Sequence, residues 1–143
     1  MLPHVIDSPW TALTSVEHDL MICASEAWGI LAYATKGTDE NGHPVDLPCV
    51  VLGLVDRGWV EVHRLKPWTA PNGQTGATYG PPIPRAEIPQ VLQDPATWDD
   101  PEEPSWIGAV TLSATETWRE LNRRSRQMTV ALTSPTDINA GER

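Results

Sequence analysis

Val45–Leu65 reads VDLPCVVLGLVDRGWVEVHRL, and a few residues in it set the local structure. The Asp46 carboxylate can accept from a backbone N–H of a first helical turn, and Pro48 is tolerated there because its missing N–H had no partner. Leu47, Val50, Val51, Leu54 and Val55 recur at the i, i+3, i+4, i+7, i+8 spacing of a core-facing helix. Gly58 falls where a left-handed C-cap is expected. Trp59–Leu65, WVEVHRL, is rich in β-formers. The stretch predicts a helix, a glycine stop and a strand that leaves at once.

Upstream, Thr14-Ser15-Val16-Glu17 has capping-box spacing, a hydroxyl followed three residues later by a carboxylate. Val16, Leu20, Cys23 or Ala24, Ala27 and Leu31 follow it at helical intervals. Gly29 costs a helix about 1 kcal/mol relative to Ala, so a break or bend is expected there. Gly37 supplies a stop, and the following TDENGHP is a loop. Residues 1–13 form an arm that Trp10 can pin.

Downstream the composition changes. Nine of the chain's 14 prolines fall within residues 67–104. Their first half, PWTAPNGQTGATYGPPIP, predicts irregular loop. A short helix is expected near Glu87–Gln93, with one more turn from Asp94-Pro95 to Trp98. Trp106–Leu112, WIGAVTL, is a second strand. Ser113-Ala114-Thr115-Glu116 repeats the capping-box spacing before a last helix that turns Trp118 and Leu121 inward. From Gln127 the pattern fades into a flexible tail, 127–143.

The chain has 143 residues and a net charge of −9, which suits one soluble domain with a single core. No apolar run approaches the ~20 residues of a membrane span. The amino terminus lacks the basic-then-apolar order of a secretory signal. Cys23 and Cys49 sit in helical apolar patterns, as reduced thiols of a cytoplasmic protein do. The acidity disfavours phosphate binding, but it is uneven. Residues 86–104 carry six acids and no base; the remainder holds 13 acids and 10 bases, a balance of −3.

LVDRGWVEV (Leu54–Val62) and VTLSATETWREL (Val110–Leu121) resemble two pieces of bacterial winged helix-turn-helix regulators of the MarR and PadR type. The first is similar to the end of their third helix running into the first wing strand. The second is similar to their second wing strand and the helix after it. The resemblance implies an α+β winged-helix-like domain. Residues 14–65 would supply the helices and first wing strand, and 106–126 the second wing strand and last helix. Residues 66–105 would be a long acidic, Pro-rich insertion between the strands. Three departures stand out: the loop before the third helix is long for a helix-turn-helix, the wing is a 40-residue excursion, and no long amphipathic carboxy-terminal helix of the sort that dimerises those families is expected.

The resemblance implies a DNA-binding transcriptional regulator of the cytoplasm, with a homodimer as one form it can take. Base readout needs polar side chains on the third helix, whose outward positions here are Asp46, Pro48, Cys49, Leu52, Gly53 and Asp56. Phosphate contact would fall to Arg57, Arg64, Lys66, Arg119, Arg123, Arg124 and Arg126. The alternative is a winged-helix module that binds a protein partner, with Cys49, Leu52, Trp68 and Trp98 as candidate contacts. Trp28, Trp59, Trp106 and Trp118 are expected in the core. Nothing argues for catalysis, a cofactor or a metal: His4, His18, His43 and His63 have no ligand spacing with either cysteine. No phosphate loop or nucleophile elbow occurs either.

Overall fold

A computed structural model describes residues 8–99 and 106–132, with side chains to 126. The protein is α+β, with four helices and one three-stranded antiparallel sheet. Residues 1–7 of the expected arm and 133–143 of the expected tail lie outside the described residues.

Helix α1 (Ser15–Ser25) opens on the capping box. The Glu17 N–H donates to Thr14 Oγ1 at 3.2 Å, and the Thr14 N–H donates to Glu17 Oε1 at 2.9 Å. Ahead of it, a turn at Pro9–Ala12 lays the Trp10 ring edge-on to His18 and Trp118, so Trp10 does pin this segment. The helix ends before Gly29, as the glycine predicts. Past it, Leu31–Tyr33 forms a single 3-10 turn.

Helix α2 (Leu47–Asp56) starts on Asp46, whose carboxylate accepts from the Cys49 N–H at 3.1 Å. Its end is a full Schellman motif: the Trp59 N–H donates to Leu54 O, the Gly58 N–H donates to Val55 O, and Gly58 has φ +78°. An L-residue at that φ is strained. Strand β1 (Val60–Thr69) leaves immediately.

Strand β3 (Val110–Ala114) pairs with β1 in register from Val60↔Ala114 to Arg64↔Val110. The expected pairing of the two strands is thus observed. A further strand, β2 (Thr75–Tyr79), overturns the expectation of irregular loop after Pro67. It pairs with the outer half of β1 from Leu65↔Tyr79 to Thr69↔Thr75, giving the order β2-β1-β3. Its turn is closed by the Ala70 N–H on Gln74 O at 2.7 Å, with Gly73 at φ +90°. Pro67 is tolerated because β3 stops at Val110, opposite Arg64, leaving that side of β1 unpaired.

Helix α3 (Ile88–Gln93) and a turn at Pro95–Trp98 follow, close to their expected places. Ile88 and Leu92 join the buried cluster of α1, α2 and the sheet, built on Leu20, Leu31, Val51, Leu54, Val62 and Leu112. Each such side chain contributes about 1.5–3 kcal/mol by leaving water. Helix α4 (Glu116–Leu132) differs from expectation at both ends. Its N-cap is Thr115, which accepts from the Trp118 N–H at 3.3 Å. Ser113 remains in the strand and bonds to His63. The helix continues past Gln127 to Leu132.

The helices meet the sheet at Gly29. Its carbonyl accepts from the Leu112 N–H at 2.8 Å, and its N–H donates to the Tyr79 hydroxyl at 3.2 Å. The Tyr79 hydroxyl donates in turn to Ala27 O at 3.1 Å. A Cβ at Gly29 would collide with the carbonyl oxygens of Leu112 and Cys23. Gly29→Ala should therefore lower the urea midpoint by an amount equivalent to about 2 kcal/mol or more, since neither carbonyl can retreat without breaking the layer contact. Tyr79→Phe removes the partner of the Gly29 N–H and should cost about 1–2 kcal/mol in the same measurement.

Candidate interaction surface

The seven candidate phosphate-contacting residues occupy different environments. Arg57 is 3.1 Å from Glu17, the same carboxylate that closes the α1 capping box, and its guanidinium lies over the Trp59 ring. Arg64 donates to Gly108 O at 3.2 Å. On α4, Arg119 meets Glu116 and Ala114 O, Arg123 bridges Glu116 and Glu120, and Arg124 meets Glu120. Hydrogen bonds from Arg123 and Arg119 hold the Glu116 carboxyl below its ordinary range; Arg123 does the same for Glu120. Lys66 and Arg126 are exposed and have no ion pair among the described residues.

The candidate partner contacts are also dispersed. Leu52 is half-buried and packs against the core, on the helix that α3 contacts. Arg85, just ahead of α3, grips Asp56 at the end of α2 with two bonds of 2.7 and 3.0 Å. That pairing draws the Asp56 carboxyl below its ordinary range. Cys49 is exposed, and Gly53 faces open space. Trp98 is half-buried and its Nε1–H donates to Leu92 O at 2.9 Å, so it fastens α3 to the following turn. Trp68 is exposed near the tip of β1.

A different face gathers apolar side chains. Trp28 is not core as its position suggests: it is 44% exposed, beside Ile22 (43%), Tyr33 (54%) and Ile107 (43%). These are four of the five large exposed apolar side chains among the described residues. They line two depressions that share Trp28. The smaller, of about 180 Å³, is walled by Asp19, Ile22, Glu26, Trp28, Ile30 and Tyr33. The larger, of about 530 Å³, lies over Leu65, Pro67, Thr75 and Ala77 between Trp28 and the Trp106–Ile107 turn.

Local chemistry explains the exposure. Asp19, Ile22, Cys23 and Glu26 recur at i, i+3, i+4, i+7 and so share one face of the α1 spiral. Where the helix stops, Glu26 is extended and the chain turns into Gly29, leaving the Trp28 ring outside, 5.9 Å from Tyr79. Tyr79 in turn stacks on buried His63, whose Nδ1–H donates to Gly80 O at 2.8 Å while Nε2 accepts from the Ser113 hydroxyl at 2.9 Å. Trp106 stands at φ +54°, a left-handed conformation rare for a bulky residue. Its indole N–H is buried and has no hydrogen-bond partner among the described residues. Strain of this kind collects at binding sites.

Two signals for this face were present in the sequence. Ile22 is out of phase with the Val16–Leu20–Ala24 stripe, and Trp28 directly precedes the glycine at which the helix is expected to break. Among the described residues, no group of three His, Cys, Asp or Glu side chains could hold a metal ion, and no helix is long and apolar enough to cross a membrane. No protein-family model, no curated protein and no solved structure matches the chain.

The two thiols differ sharply. Cys23 is buried and donates to Ile30 O, and burial, aided by the charge of Glu26, pushes it from 9.0 up to about 12. A thiol reagent should label Cys49 alone in the native chain and both cysteines in denaturant. As pH rises from 9 towards 12, the unfolded chain loses this proton first. The stability that buried Cys23 contributes is complete below that window and declines through it.

Proposed function

We propose that the chain is a winged-helix-like interaction module that binds a protein partner through the face centred on Trp28. On this reading α2 is the third helix, β1 and β3 are the wing strands, and the Ile30↔Thr111 bridge stands for the short strand between the first helices. The observation that carries the proposal is the gathering of Ile22, Trp28, Tyr33 and Ile107 around two connected depressions. An exposed apolar patch of this sort marks an interaction site more often than a solvent face, and Trp and Tyr are common binding anchors.

The surface chemistry of α2 supports a protein partner over a base-reading role. Its exposed positions include Asp46, Cys49 and Asp56, and Asp56 is taken up by Arg85. Arg119, Arg123 and Arg124 on α4 face Glu116 and Glu120, which offset the charge a phosphate would meet. A second reading, DNA contact through the wing, is favoured by Lys66 and Trp68 on one face of β1 and by Arg126, which has no ion pair among the described residues. Both readings are open to direct measurement. A random peptide library displayed on phage should yield binders to the full chain that are lost with Trp28→Ser. A random-sequence DNA duplex should show no anisotropy change at low salt. Salt-dependent duplex binding that Lys66→Glu and Arg126→Glu abolish, with no Trp28-dependent peptide, would replace the first reading by the second.

A further inference from the structure

The smaller depression adds a charge preference to this surface. Its walls carry two carboxylates, Asp19 and Glu26, and no lysine or arginine. Asp19 accepts from the Thr35 hydroxyl at 3.1 Å and has no cationic partner among the described residues. Glu26 has neither a side-chain hydrogen bond nor an ion pair there, in contrast to Glu17, Glu116 and Glu120, which are all met by arginines. Its charge is felt at buried Cys23, where it helps to raise the thiol. Uncompensated carboxylates beside exposed indole and phenol rings form an environment for a cation: the ring faces attract it, and the carboxylates pair with it.

Resting on the proposed interaction surface, we infer that its partner presents a basic segment whose arginine enters the Asp19–Glu26 cleft against Trp28. A neighbouring apolar side chain of that segment lies in the larger groove beyond Trp28. Arginine suits the cleft better than lysine because a planar guanidinium stacks on an indole while its fork meets a carboxylate. Trp28 lines both depressions, so adjacent basic and apolar residues could occupy them together. The chain's net charge of −9 favours the encounter.

The test uses the full chain and the peptides recovered with it from the displayed library. Trp28-dependent peptides should carry arginine next to an apolar residue. Replacing that arginine by norleucine, or combining Asp19→Asn with Glu26→Gln in the protein, should weaken binding by about tenfold or more. Arginine-to-lysine replacement should weaken it less, and added salt should weaken the wild-type pair more than the neutralised variant. Asp19 and Glu26 are exposed, so circular dichroism of the double variant should match wild type. Trp28-dependent peptides without a cation, or affinities unmoved by the double variant, would overturn the arginine assignment and leave the surface standing. Failure to recover any Trp28-dependent peptide would remove both.

Discussion

Gly29 is the constraint on which the arrangement depends. Two backbone groups of one residue join the end of α1 to β3 and, through the Tyr79 hydroxyl, to β2. The approach is so close that no side chain fits between the helix end and the strand. Because the chain must pass through this contact, the residue before it cannot also turn inward. Trp28 is therefore held outside, and the same junction that joins the layers presents the exposed ring. The packing of the layers and the exposure of that ring have a common local cause.

The parts of the fold that were legible in the sequence share a property: each is governed by residues close together in the chain. The Thr14–Glu17 box, the Asp46 cap and the Gly58 stop are all such cases, and β1 follows directly from the last of them. Strand β3 was legible in part: Val110–Leu112 pair as expected, whereas the expected first half, 106–109, is a turn and the strand runs on to Ala114. β2 was not legible, because TGATY is short, has no apolar alternation and lies among prolines and glycines that ordinarily signal loop. What makes it a strand is non-local, namely the free outer half of β1 and the anchoring of Tyr79 at Gly29. The start of α4 was misjudged for a related reason. Ser113 and Thr115 both offer a cap hydroxyl, and the choice was made by His63, fifty residues away, which engages Ser113.

The site was less legible than the fold. Arginines on α4 read as a basic cluster in one dimension, whereas the helix interleaves them with Glu116 and Glu120 at three- and four-residue spacing. The cleft beside Trp28 needed the converse information: that Asp19 on α1 and Glu26 at its end have no cationic partner among the described residues. Neither fact follows from composition, since the same net charge of −9 accommodates both. Where charges are matched the surface is locally neutral, and where they are left over it keeps a local negative charge.

Gly53 has a consequence of a different kind. It sits in the middle of α2 with nothing near it that a methyl group would touch. Glycine at such a position weakens a helix by about 1 kcal/mol relative to alanine without any gain in packing. Both ends of α2 are firmly closed, at Asp46 and at Gly58, so the weakness is confined to its centre. The helix that carries the core stripe Val51–Leu54 is thereby a bar clamped at its tips and softened in its span. The propensity lost at Gly53 is thus offset where Asp46 and Gly58 close the helix.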